Sequence, residues 1–339
     1  MPTIADELAK KQQSISVSEF FTRNRHLLGF DNPKKALLTT IKEAVDNSLD
    51  ACQEANILPL IKINIKQLAE NRFKIIVEDN GPGIVKKQIP HIFARLLYGS
   101  KFFSMRQQRG QQGIGISAAV LYAQLTTGKP AKITSRISPK QPAHYYELHI
   151  DTKNNLPQIL VDKEVSSDLV TGTKIELEIE ALYQKGARSV DDYLKQTAIA
   201  NPHAYIIYNS PDNKRAIFSR ATDKLPPQPK EIKPHPYGIE FGVFINMLKD
   251  TESRTLQSFL TNDFSRVGPG TAKKICEEAQ LKTNIHPSNI SREEAEKLFN
   301  IIQKTKLIAP PTDCISPIGA EALQKSLEKE LPAEFFAST

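Results

Sequence analysis

No stretch of this sequence stays apolar long enough to span a membrane, and its first residues, MPTIADELAKKQQ, hold no signal-peptide core. Both absences lead us to expect a cytoplasmic protein with no membrane partner. Cysteine is scarce: Cys52, Cys276 and Cys314 stand far apart and share no metal-ligand spacing. They read as reduced, mostly buried thiols. Charge is not extreme either, since 45 Lys and Arg against 38 Asp and Glu leave a net charge of +7. That balance permits a polyanionic partner without demonstrating one. A hydrophobic content of 40% with 24% charge over 339 residues fits a globular chain of two or three domains.

What is present is organised around residues 34–59, KKALLTTIKEAVDNSLDACQEANILP. Asp31 or Asn32 can cap a helix here, Pro33 suits its first turn, and Pro59 is expected to mark its end. At about 100° per residue, Leu38, Ile41, Val45, Leu49 and Cys52 share one side. Glu43, Asp46, Asn47 and Asp50 share the other, with no Lys or Arg among them. A solvated polar face accounts for such a stripe when the helix is taken alone. Short acids at this spacing equally suit a metal ion or an activated water, and the following segments favour that second reading.

LIKINIK and FKIIVED alternate apolar and polar residues across a polar turn and predict an antiparallel hairpin. The second strand runs into Asp79-Asn80-Gly81-Pro82-Gly83-Ile84, a tight turn that would fix the Asp79 carboxylate at the strand end. A helix is expected over KKQIPHIFARLLYGSK. A Gln- and Gly-rich loop then opens directly into the helix ISAAVLYAQLTTG, closed by Gly128. Gly110, Gly113 and Gly115 at a helix N-terminus let backbone N–H groups approach an anion, aided by the helix dipole. A Gly-rich turn alone is a weak signal. An acid/amide helix, a DNGPG turn and a Gly-rich helix start in succession are hard to explain as packing.

The strands AKITSRI, AHYYELHID, PQILVDKEV and TKIELEIE follow, then a helix near 190–200 and a strand AYIIYN. The pattern predicts an α+β domain with helices on one face of a mixed sheet. The Pro/Lys-rich TDKLPPQPKEIKPHP reads as a boundary, and residues 237–306 are helical in pattern. Gly268-Pro269-Gly270 before Lys273 and Lys274 suits a phosphate contact, or simply a helix start with exposed lysines. At the other end, SVSEFFTRNRHLLGF is too apolar for a free tail and should dock on its own domain or on a second subunit.

EAVDN at 43–47, VEDNGPGI at 77–84, YGSK with GQQGIGIS through 98–117, and TGTKIELEI at 171–179 together resemble the boxes of the GHKL ATPases. Within that superfamily, KALLTTIKEAVDNSLDACQEA, LLYGSKF, QRGQQGIGIS and the SRVGPGTA segment are most similar to the B subunits of type IIB DNA topoisomerases, the topoisomerase VI family. The resemblance implies a GHKL (Bergerat) sandwich over 31–228 after a docking or dimerisation segment at 1–30. It implies a helix-two-turns-helix domain over 229–306 and the beginning of a transducer domain over 307–339.

It also implies ATP and Mg²⁺ as ligands. Glu43 would be the general base and Asn47 a Mg²⁺ ligand. Asp79 would accept a hydrogen bond from the adenine amino group, supported by the Thr173 hydroxyl, with Gly81 and Gly83 shaping the turn. Ser100, Lys101 and Gly110, Gln111, Gln112, Gly113, Ile114, Gly115 and Ile116 would wrap the phosphates as a lid. Asp46 and Asp50 receive no separate task. The implied partners are double-stranded DNA, a second copy joined in an ATP-dependent homodimer, and a DNA-cleaving A subunit, held through sequence beyond this chain. The expected setting is the cytoplasm, at the nucleoid. Two alternatives stay open: another GHKL ATPase of mismatch-repair or chaperone type, and a non-catalytic adaptor on the same fold.

Overall fold

A computed structural model of the chain describes residues 4, 12–102, 104–110, 112–333, 335 and 336. Helix α1 (Val17–Arg23) starts at Ser16, whose hydroxyl accepts from the Glu19 N–H. The Ser16 and Ser18 hydroxyls both donate to the Thr152 carbonyl, at 2.5 and 2.8 Å. Phe21 and Leu28 pack on the core, and buried Phe30 stacks on Tyr122 at 4.8 Å. From Val17 onward, then, the apolar lead-in docks on its own domain. Most of the preceding segment (1–3 and 5–11) lies outside the described residues.

Helix α2 (Pro33–Glu54) has Asn32 as its cap and Pro33 in its first turn. Ile41, Val45, Leu49 and Cys52 are fully buried, as the periodicity predicts. The helix ends before Pro59. Asn56 takes a left-handed conformation (φ 55°) and the Ile57 N–H bonds back to the Cys52 carbonyl at 2.8 Å, turning the chain into the next strand.

Strands β1 (Leu60–Ala69) and β2 (Arg72–Asp79) form the expected antiparallel hairpin. The helix expected next is shorter than its sequence suggests. A 3-10 turn at Lys86–Gln88 precedes α3 (Ile89–Ala94), which stops where Arg95 takes an extended conformation (φ −141°, ψ 122°). Helix α4 (Gly115–Thr127) closes at Gly128 with φ 66°. Then come β3 (Ala131–Arg136), β4 (Ala143–Asp151), β5 (Leu156–Val165), β6 (Gly172–Glu180), α5 (Val190–Ala200), β7 (Tyr205–Asn209) and β8 (Arg215–Phe218). The four residues of β8 are too few to show an alternation, and the sequence reading passes over them.

The eight strands make one sheet in the order β5-β4-β3-β6-β2-β1-β7-β8. Only the β1–β7 pair is parallel, so the sheet is mixed. Phe73, Ile75 and Val77 of β2 and Ile175, Leu177 and Ile179 of β6 point into a core shared with α2, α4 and α5. Each such side chain contributes about 1.5–3 kcal/mol by leaving water. The opposite face carries cross-strand ion pairs: Lys62–Glu78 at 2.8 Å, Arg72–Glu178 at 3.0 Å and Lys74–Glu176 at 2.7 Å. The helices therefore sit on one face, giving the expected α+β architecture.

Residues 104–107 and 229–316 form a second compact unit. Its helices are α6 (Phe241–Asp250), α7 (Leu256–Asn262), α8 (Pro269–Glu278) and α9 (Arg292–Lys304), packed around Phe244, Phe259, Ile275 and Leu298. A reciprocal Ser291/Glu294 capping box starts α9. On α8, Lys273 and Lys274 lie 3.8 and 3.7 Å from Glu277 and Glu278, one turn on, so this basic pair carries its own counter-charge. The last helix, α10 (Ala320–Glu330), belongs to the sheet-containing unit, where the Ser326 hydroxyl reaches the Ala198 carbonyl at 3.3 Å. Among the described residues no helix is long and apolar enough to cross a membrane.

Leu49 is fully buried beneath the sheet, on the side of α2 away from its polar stripe. Leu49→Ala is expected to cost about 2–5 kcal/mol through lost burial and the cavity left behind. Denaturant unfolding of the sheet-containing unit checks this.

Candidate functional site

Where β2 ends, Asp79 enters the turn with its side chain almost wholly buried. Its Oδ2 accepts from the Ser48 hydroxyl of α2 at 3.0 Å, and its Oδ1 accepts from the Gly81 N–H at 2.9 Å and the Thr173 N–H at 3.2 Å. Burial raises its pKa above the ordinary carboxylate value, and the three donors pull it back only in part. The turn needs glycine for a concrete reason. Gly83 has φ +72°, and a Cβ there would lie 2.2 Å from the Arg136 carbonyl oxygen.

Asp79 forms part of the floor of an open cavity of about 1060 Å³. Val77, Thr173 and Ile175 line the floor beside it, and Glu43, Asn47 and Ser48 of α2 form one wall. Pro82, Gly83 and Ile84 form a rim, while residues 98–101, Gln108, Arg109, Gly110 and 112–116 arch over it. The cavity thus gathers Glu43, Asn47, Asp79, Gly83, Ser100, Lys101, Gly110, Gln112, Gly113, Ile114, Gly115, Ile116 and Thr173. Gly81 does not line it and acts through its N–H on Asp79. Gln111 lies outside the described residues. The Thr173 hydroxyl is 3.0 Å from the Ser135 hydroxyl, so Thr173 meets Asp79 through its amide rather than its side chain. Sequence reasoning missed Ser48 and Ser135. Ser48 directly follows Asn47, and only the fold shows that its hydroxyl turns toward Asp79.

Glu43 stands against the first turn of α4. A Cβ on Gly115 would fall 1.7 Å from its Oε2, so the missing side chain makes room for the carboxylate. Burial raises the Glu43 pKa, opposed by Lys42, whose Nζ is 3.8 Å away. Asn47 has no side-chain partner among the described residues and is exposed within the cavity.

The polar stripe of α2 is not the uncompensated surface that its spacing suggests. Lys42 reaches Asp46 at 2.9 Å, and Asp46 also accepts from the Tyr193 hydroxyl at 3.0 Å. Asp50 is buried and takes Lys101 at 2.5 Å and Arg109 at 2.6 Å. Neutralisation comes from the neighbouring helical position and from far along the chain, which a count within the stripe does not register. No group of three or more His, Cys, Asp or Glu among the described residues could hold a metal ion alone. The cysteines are free, and burial pushes the Cys52 thiol up to about 12, leaving it unreactive.

A family profile described as "Histidine kinase-, DNA gyrase B-, and HSP90-like ATPase" matches residues 32–180, the span that holds all of these cavity residues. The chain is 55% identical over 337 residues to the B subunit of a type 2 DNA topoisomerase 6 from Methanococcoides burtonii, covering 99% of this chain and 54% of that protein. The corresponding Methanosarcina mazei protein is 53% identical over the same shares. That of Archaeoglobus fulgidus is 49% identical, covering 97% of this chain and 54% of its own length. Over nearly its whole length the chain matches topoisomerase 6 B subunits. It spans about half the length of these curated relatives. Its GHKL ATPase fold agrees with the motifs that carry the resemblance.

Gly115→Ala places a methyl group where the flexible end of Glu43 now lies, on a backbone that already tolerates alanine. The variant is expected to fold with stability within about 1 kcal/mol of the parent while the carboxylate is displaced. Thermal melting and a crystal structure of the variant check both halves.

Proposed function

We propose that this chain binds ATP in the cavity lined by residues 98–101, 108–110 and 112–116 and hydrolyses its γ-phosphate as the ATP-operated part of a type IIB DNA topoisomerase. The observation that carries the reading is the Asp79–Glu43 arrangement. A buried acceptor at one end of the cavity suits a purine amino group, and a carboxylate of raised pKa at the N-terminus of α4 suits proton abstraction from a water. Helix α4 turns its first N–H groups and its positive dipole end toward the same region, where phosphates would be favoured. Asn47, unpartnered among the described residues and facing the cavity, fits a single protein ligand to Mg²⁺, which keeps waters and phosphate oxygens for its remaining positions. When bound, that ion would offset phosphate charge. Ser100, Lys101 and the backbone of 110–116 would enclose the phosphates.

In the whole enzyme, on this reading, nucleotide-driven pairing of two copies gates the passage of double-stranded DNA, and the strand is cut by a separate A subunit. Retention of Glu43, Asn47 and Asp79 together favours turnover over a non-catalytic adaptor. The helical unit after Pro236 favours the topoisomerase branch over mismatch-repair or chaperone ATPases.

Calorimetric titration with a non-hydrolysable ATP analogue should give saturable binding; no heat in the parent chain overturns the reading. Glu43→Gln should keep that binding and lose about 100-fold or more of phosphate release, the usual contribution of a general base. Asp79→Asn should weaken analogue binding about 10- to 100-fold, the worth of a hydrogen bond to a charged acceptor. In the parent, affinity should fall as pH is lowered and Asp79 is protonated. Because burial raises its pKa, the fall begins above the ordinary value of 3.8 and is absent from Asp79→Asn.

A further inference from the structure

Asp50 has no task in the proposed chemistry, yet it is the most deeply buried carboxylate of the α2 stripe, its side chain 8% exposed. Both of its oxygens are engaged, and both partners come from the loop that arches over the cavity. Lys101, at the loop's entry, places Nζ 2.5 Å from Oδ2. Arg109, near its exit, places a guanidinium nitrogen 2.6 Å from Oδ1 and its backbone N–H 3.3 Å from Oδ2. One buried anion therefore gathers the two ends of a loop that leaves it at 101 and returns at 109.

The two cations are not held alike. Arg109 is fixed by a planar fork: besides Asp50 it donates to Gln53 Oε1 and to Asn201 Oδ1, each at 2.6 Å. Lys101 has Asp50 as its only partner among the described residues, and it also lines the cavity. Two cations on one carboxylate leave a local surplus of one positive charge. If Lys101 departs, the buried Asp50–Arg109 pair stays neutral, and no charge is stranded in the interior. If Arg109 departs, three polar groups lose their donor at once. The arrangement is asymmetric, with one arm built to stay and one able to leave.

We propose that Asp50 is a latch on this loop: it tethers both ends, and it hands Lys101 to the phosphates of an incoming nucleotide while keeping Arg109. Asp50 is a positioning residue here, acting on the site through Lys101. The hand-over rests on the reading that the cavity takes ATP and that Lys101 meets its phosphates.

A thermodynamic cycle on the full chain tests it, using Asp50→Asn, Lys101→Met and the double variant. Each is assayed by hydrogen–deuterium exchange over residues 102–113 without nucleotide and by titration with a non-hydrolysable ATP analogue. Exchange in the loop should rise in Asp50→Asn. Lys101→Met should cost more analogue affinity in the Asp50→Asn background than in the parent, by about threefold or more, because the lysine no longer has a competing carboxylate. A purely structural Asp50 would leave the cost of Lys101→Met equal in both backgrounds, and that equality, or unchanged loop exchange, overturns the latch. If the parent fails to bind the analogue, the nucleotide reading falls, and loop exchange alone then decides the tether. Should Asp50→Asn not fold, Lys101→Met on a partly exposed side chain must still raise loop exchange for the latch to stand.

Discussion

One buried acceptor, the Asp79 carboxylate, sets the geometry on which the site depends. It draws a hydroxyl from α2, an amide from its own turn and an amide from the edge of β6 onto two oxygen atoms. Those three elements are brought together from positions 48, 81 and 173, so the carboxylate fixes the spacing between helix wall and sheet floor. Burying a charge this deeply is unfavourable, as its raised pKa records, and each hydrogen bond to a charged acceptor returns only about 1.5–3 kcal/mol. A position with that cost and no packing benefit is what a recognition site requires: an acceptor held rigid, with little water to compete for it.

The polar residues of α2 show how one helix face serves several ends. Glu43 is kept near the first turn of a second helix, Asn47 is left open to the cavity, Asp46 is tied back to Lys42 and Tyr193, and Asp50 is turned inward to hold a loop. Their spacing places them on one side, but their neighbours decide their chemistry. The counter-charges at Lys42, Lys101 and Arg109 keep the carboxylates from repelling one another along a single stripe.

Much of the sheet-containing unit could be read from residue pattern, because its strands alternate cleanly and its main helices carry strong caps and stops. Asn32-Pro33 and Gly128 mark real ends. The errors lie where local signals are silent. Pro59 lies well past the helix end because a left-handed Asn56 and a backbone bond to Cys52 stop the helix earlier. The segment after Lys86 is helix-compatible in composition yet breaks at Arg95, whose extended backbone no sequence rule anticipates. At the site, residues on signature turns were legible. Ser48, Ser135 and Asp50 were not, since each acts through a partner at least 31 positions away. That the Thr173 amide reaches Asp79 while its hydroxyl lies against Ser135 is likewise visible only in the fold.

The void at position 115 has a consequence for how such sequences can drift. Because the carboxylate end of Glu43 occupies the place a Cβ would take, positions 43 and 115 form a size-exclusion pair separated by seventy-two residues. A lineage that shortened the acid could admit a methyl group at 115. One that gained that methyl group first would be driven to abandon the acid's present rotamer.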